Sequence, residues 1–332
     1  VKDDADIQKS LEPVIFYRVD AEKGEGKDLR KQFKVRGYPT FALTNSEGKT
    51  IDLWAGYGKE GFISNIGDAT KDLSTIDEKQ ARFKANPDFK DALALGRYNS
   101  ATGEFKEAVS YYQQAQQLKT DPKVNYFYEI WANTVDGADE EMFAFDDVRK
   151  AANDFMAMEN RAGWQNLHVY QRMIGLAKQN KRDDLVTRYL QAGLDATANS
   201  DDSDMKALHS NLMVEFSLFV KNDTATAVEF KKASMPDGWL NSAGNLNAFA
   251  WWCFENKANL NEAEKLSRKS VELAKPGREK AMNFDTLAEI LNARGKTTEA
   301  LEFEKKAVSE DPSDEFFPKQ VARFEELLKG KK

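Results

Sequence analysis

The sequence predicts a predominantly α-helical chain that opens with a small α/β portion and continues as an all-α array of helical hairpins. Three observations lead there. β-branched and aromatic runs separated by Gly- and Asn-rich turns are confined to residues 1–73. From about Ser74 onward, apolar residues recur at three- and four-residue spacing with only short polar breaks. Within that helical part, two distant stretches repeat one spacing of small residues.

The elements follow in order. Val14-Ile15-Phe16-Tyr17-Arg18-Val19 suits a strand buried on both faces. Lys27–Phe33 reads as a short helix with Leu29 and Phe33 on one side, and Gly37 stops it. Thr40–Thr44 and Thr50–Trp54 read as strands joined by the turn Asn45-Ser46-Glu47-Gly48, hence a hairpin. Gly56 and Gly58 open a loop, and Lys59–Leu73 is helical.

In the helical part, Phe89–Pro122 carries Leu95-Gly96 followed by Gly103, Ala108 and Ala115. Phe284–Pro312 carries Leu287-Ala288 followed by Gly295, Ala300 and Ala307, so the offsets are +7, +12 and +19 in both. Two short helices meeting at a glycine turn explain the pattern, because small residues let the backbones approach where the helices cross. A weaker copy spans Leu246–Ala274. The clearest repeats are therefore 84–122, 245–276 and 281–314, and about Asn125–Leu240 reads as three or four divergent helical hairpins.

These strings carry two resemblances. "VDAEKGEG" (19–26), "FKVRGYPTF" (33–41), "EGK" (47–49) and Gly56 resemble the C-terminal part of a thioredoxin-like domain. Residues 80–122 and 245–332 resemble tetratricopeptide repeats, with departures at Asn99, Glu304, Ser267 and Ser270, where apolar or aromatic residues are usual. The resemblance divides the chain into a truncated thioredoxin-like domain, 1–73, and a tetratricopeptide-like α-solenoid, 74–332. It implies a cis bond before Pro39, and a substrate-binding loop in which Tyr38 offers backbone groups to an extended protein or peptide segment. It also implies a parent protein that performs thiol–disulfide exchange on protein substrates, in an extracytoplasmic setting. The family's Cys-x-x-Cys region would lie upstream of Val1. The Val14 strand would then lack the strands that flank it in the family. It is expected either to pair directly with Thr40–Thr44, antiparallel, or to be poorly ordered. A thioredoxin-like scaffold without redox cysteines is the alternative.

Composition excludes other classes. Net charge is −7, from 48 basic and 55 acidic residues, which disfavours nucleic acid as a partner for the chain as a whole; the basic end Lys329–Lys332 reads as a solvated tail. No apolar run is long enough to span a membrane. Cys253 is the only cysteine and lies 44 and 85 residues from the two histidines, His209 and His168, so it reads as a core residue rather than a nucleophile. The sequence indicates no metal site, no cofactor and no catalytic residue in this chain. "GEG" (24–26) and "EGKT" (47–50) fail as phosphate loops, because Leu29 and Leu43 stand where glycine is required. Asp201, Asp202 and Asp204 read as a helix N-cap cluster. In each of the pairs Tyr111-Tyr112 and Trp251-Trp252, one ring is expected in the core and the other in a groove or at the surface.

Overall fold

A computed structural model describes residues 4–159 and 161–330. Among these residues the chain is predominantly helical, with seventeen α-helices and one two-stranded antiparallel sheet. It divides into two compact units, Val1–Arg161 and Ala162–Lys332. The change of texture at Ser74 falls inside the first. Val1, Lys331 and Lys332 lie outside the described residues.

The first unit holds α1 (Ala5–Leu11), α2 (Gly26–Gln32), β1 (Thr40–Thr44), β2 (Thr50–Ala55), α3 (Lys59–Lys71), α4 (Ile76–Ala85), α5 (Phe89–Thr102), α6 (Phe105–Leu118), α7 (Phe127–Asp139) and α8 (Phe145–Met156). Asn45 builds the hairpin turn. Its side-chain oxygen accepts from the Glu47 and Lys49 N–H groups at 3.0 Å, and Gly48 takes the left-handed conformation at φ 76°. Strand pairing puts Phe41 opposite Trp54, and their rings stack at 5.5 Å. Phe62 closes on Phe41 at 4.9 Å, and Ile7, Leu11 and Ile66 complete that core.

An isolated hairpin is marginal in water. This one is held from the helical side as well. Asp52 of β2 is 1% exposed and pairs with Arg97 of α5. The Lys79 ammonium of α4, also buried, donates to the Ile51 carbonyl at 3.1 Å and to the Asp72 and Ser74 carbonyls. A buried cation thus satisfies main-chain acceptors that no third strand reaches.

The strand expected at Val14–Val19 is corrected. Residues 15–20 form no strand and make no ladder with β1. Val14 packs on the hairpin core, but Ile15 is 100% exposed and Phe16 and Tyr17 are exposed too. Apolar and β-branched content favours a strand only where a neighbour supplies hydrogen bonds and a surface to cover, and among the described residues β1 and β2 pair only with each other.

The second unit holds α9 (Gly163–Gln179), α10 (Asp183–Thr197), α11 (Ser203–Phe219), α12 (Thr224–Ala233), α13 (Ala243–Glu255), α14 (Leu260–Leu273), α15 (Arg278–Ala293), α16 (Thr297–Glu310) and α17 (Phe316–Lys329). Asp202 caps α11, accepting from the Asp204 and Met205 N–H groups.

One turn geometry recurs between paired helices. Gly103, Lys181, Asn222, Lys257 and Gly295 all have positive φ, between 50° and 86°. Five residues later, or six after Lys257, comes a fully buried side chain: Ala108, Val186, Ala227, Ala263 and Ala300, each 0% exposed. Three of these turns use a residue with a side chain where the first and last use glycine. The buried polar positions are also clear. Ser267, Ser270 and Glu304 are 0% exposed, whereas Asn99 is half-buried and donates to the Leu95 carbonyl at 2.7 Å. Tyr112 is buried and Tyr111 half-buried; Trp251 and Trp252, by contrast, are both half-buried, so neither ring belongs wholly to the core.

Candidate functional site

The loop from α2 to β1 carries Tyr38 and Pro39. Its path is fixed locally. Lys34 turns the chain out of α2 with φ 48°, and the Val35 N–H donates back to the Arg30 carbonyl at 2.9 Å. The Thr40 hydroxyl donates to the Gly37 carbonyl at 2.7 Å, and the Gly56 N–H donates to the Pro39 carbonyl at 2.8 Å. The Tyr38–Pro39 bond is cis. Tyr38 is 56% exposed, with the Arg30 guanidinium 5.9 Å from its ring centroid. Among the described residues no hydrogen bond engages the Tyr38 main chain, which leaves one donor and one acceptor at an exposed turn.

Beside this turn lies a cleft of about 730 Å³ with Lys27, Arg30, Lys31, Lys34, Arg36 and Glu22 among its lining residues. Lys34 pairs with Glu104 at 3.1 Å. Arg36 pairs with Glu140, and its guanidinium lies 5.3 Å from the Phe105 ring centroid. This cleft escaped the sequence reading. The spacing of 27, 30 and 31 was the available signal, since those positions share one face of α2.

The remaining candidates fall elsewhere. Cys253 sits among Val228, Phe249, Ala250, Ala258, Ala263 and Ile290. Burial, aided by Glu262, pushes its thiol up to about 12, so almost no thiolate forms at neutral pH. His168 is exposed, while His209 is half-buried with its Nδ1 2.8 Å from the Thr197 hydroxyl. Trp252 lines a second cavity, about 520 Å³, with Lys178, Asn211, Phe219 and Lys231. Lys178 there pairs with Glu215, and the Lys231 ammonium sits 5.9 Å from the Trp252 ring centroid. Among the described residues no group of three or more His, Cys, Asp or Glu side chains is placed to hold a metal ion, and no helix is long and apolar enough to cross a membrane.

No protein-family model matches this chain, and no curated protein matches it.

Proposed function

We propose that this chain holds an extended polypeptide segment at the Tyr38–Pro39 turn, as the substrate-holding part of a thioredoxin-like protein that also carries tetratricopeptide-type helices. The carrying observation is the unengaged main chain of Tyr38 on an exposed loop beside the edge of β1. A segment laid along it gains backbone hydrogen bonds without demanding a particular sequence. The repeated turn of the helix pairs, followed by a fully buried residue that is alanine in four of the five, supports the tetratricopeptide reading. On this reading the parent is a thiol–disulfide oxidoreductase, and the exchange is performed by cysteines other than Cys253, whose thiol is buried and weakly acidic.

Amide hydrogen exchange on the full chain, with and without a reduced and carboxymethylated unfolded protein as the probe, tests the proposal. Slower exchange of the Tyr38 N–H on binding is the expected result. Binding that leaves Tyr38 unchanged and slows only helical amides would refute it. Disulfide turnover by this chain in the presence of dithiothreitol would refute the assignment of exchange to other cysteines.

A further inference from the structure

The cleft beside α2 is basic in an acidic protein. The chain carries −7 net charge, yet five cations and Glu22 line this one space. Three of the five lie on α2, where Lys27 and Lys31 are four apart and Arg30 is three from Lys27; Lys34 and Arg36 follow on the loop. Like charges at that spacing destabilise a helix, and α2 has only seven residues, too few to form a stable helix by itself. The fold therefore bears a local cost to keep them together.

Their compensation is incomplete. Lys34 and Arg36 have carboxylate partners in Glu104 and Glu140. Among the described residues, no ion pair or hydrogen bond engages the ammonium groups of Lys27 and Lys31. Arg30 is directed to the Tyr38 ring rather than to a carboxylate. Arg30 thus touches the turn at Tyr38 and lines the same cleft as the two lysines.

We infer that the cleft takes the acidic side chains of the polypeptide segment held at Tyr38–Pro39, so that the preferred partner is an extended peptide carrying Asp or Glu beside the part that lies on Tyr38. The inference rests on the function proposed above and names its substrate class. A peptide fits better than a nucleic acid for two reasons. The adjoining Tyr38 groups match a peptide backbone, and the protein's overall negative charge repels a long polyanion. The room, about 730 Å³, accepts several side chains rather than a single ion.

The test uses the full chain and two short fluorescent peptides, one with a run of Glu and its counterpart with Gln at the same positions. Affinity is read by anisotropy at low and at raised salt, and exchange at the Tyr38 N–H is read in parallel. The Glu peptide is expected to bind about tenfold more tightly than the Gln peptide at low salt, from the two exposed charge contacts at Lys27 and Lys31. The advantage should shrink with salt and vanish in the Lys27→Gln/Lys31→Gln double variant, which changes only exposed side chains. Equal affinity for the two peptides overturns the inference, and so does a Glu preference that survives in the double variant. In either case protection of Tyr38 by both peptides leaves the proposed function standing. A Glu preference lost in the variant but without protection of Tyr38 overturns the proposed function and, with it, the link between cleft and turn. Tighter binding of a single-stranded oligonucleotide than of the Glu peptide also overturns the inference, since the occupant would then be nucleic acid.

Discussion

Arg97→Met probes the bond between the hairpin and the helices. The Arg97 guanidinium, on a side chain 10% exposed, pairs with Asp52, on one 1% exposed, and its Nε lies 3.4 Å from Asp52 Oδ1. Methionine removes the charge and keeps most of the volume, so little cavity cost enters. What remains is Asp52, buried, with the Leu53 N–H at 2.8 Å and the positive field of Lys79. Breaking a buried pair by removing one partner costs about 3–5 kcal/mol. Because Asp52 keeps those two sources of compensation, we expect the lower end, about 3 kcal/mol. Burial already raises the Asp52 carboxyl above its ordinary value, and losing Arg97 raises it further. The deficit of the variant should therefore shrink as pH falls and Asp52 takes up a proton. Urea denaturation measures the loss. In the Asp52→Leu/Arg97→Met double variant neither charge is left buried, and it should be more stable than Arg97→Met alone. A loss below about 1 kcal/mol in the single variant, or simple additivity in the double, would refute the argument that this pair carries the junction.

Further outcomes follow from other residues. Desolvation, with Asp285 and Glu289 adding to it and Arg323 opposing, pushes the Glu304 carboxyl up. Its stabilising contribution is present below the ordinary glutamate range, near about 4.3, and is lost as pH rises through the elevated folded value. Glu304→Gln should accordingly remove a slope of about 1.4 kcal/mol per pH unit across that window. Urea midpoints that differ from the parent by the same amount at every pH would contradict this. Cys253 should resist a thiol reagent in native buffer and react fully in denaturant, and stoichiometric native labelling would show that it is not core. Gly103→Ala places a methyl against the Arg36 side chain at a φ of 86°. We expect a loss of about 1–2 kcal/mol in thermal unfolding, and an unchanged midpoint would count against the strained turn.

Much of the architecture was legible, for local reasons. The hairpin announced itself because Asn45 and Gly48 are the residues its turn needs. The first and last helix pairs showed through Gly103 and Gly295. The pairs between them were obscured because Lys181, Asn222 and Lys257 adopt the same positive φ, and composition does not distinguish a left-handed lysine from any other. Residues 15–20 misled for a different reason. Their side chains favour a strand, but a strand is a property of two segments, and no described segment pairs with this one. The basic run from α2 into the following loop could be counted in sequence. Its meaning depends on partners 70 and 104 residues away, Glu104 for Lys34 and Glu140 for Arg36, which no local pattern reveals. The buried charges Asp52, Lys79 and Arg97 were equally silent, because polar residues in a strand or on a helix read as solvent-facing.

These same long-range contacts bear on the proposed site. The segment carrying Tyr38 begins at Lys34 and Arg36, and both are anchored to the helices: Lys34 at Glu104 just after the Gly103 turn, Arg36 at Glu140 just after α7. Gly103 leaves the space that the Arg36 side chain fills. The turn between α5 and α6 thus contacts the loop, while Asp52–Arg97 ties the hairpin on which Pro39 and Gly56 meet to α5. A peptide surface made from loop backbone needs such external fixing, because a free loop loses conformational entropy on binding that a held loop has already lost. On the proposed function, the first helix pair would be the support that keeps the Tyr38 groups presented. Gly103→Ala, which crowds Arg36, should then weaken peptide binding at Tyr38 as well as stability. Full binding in that variant would mean that the loop holds its shape without the helices.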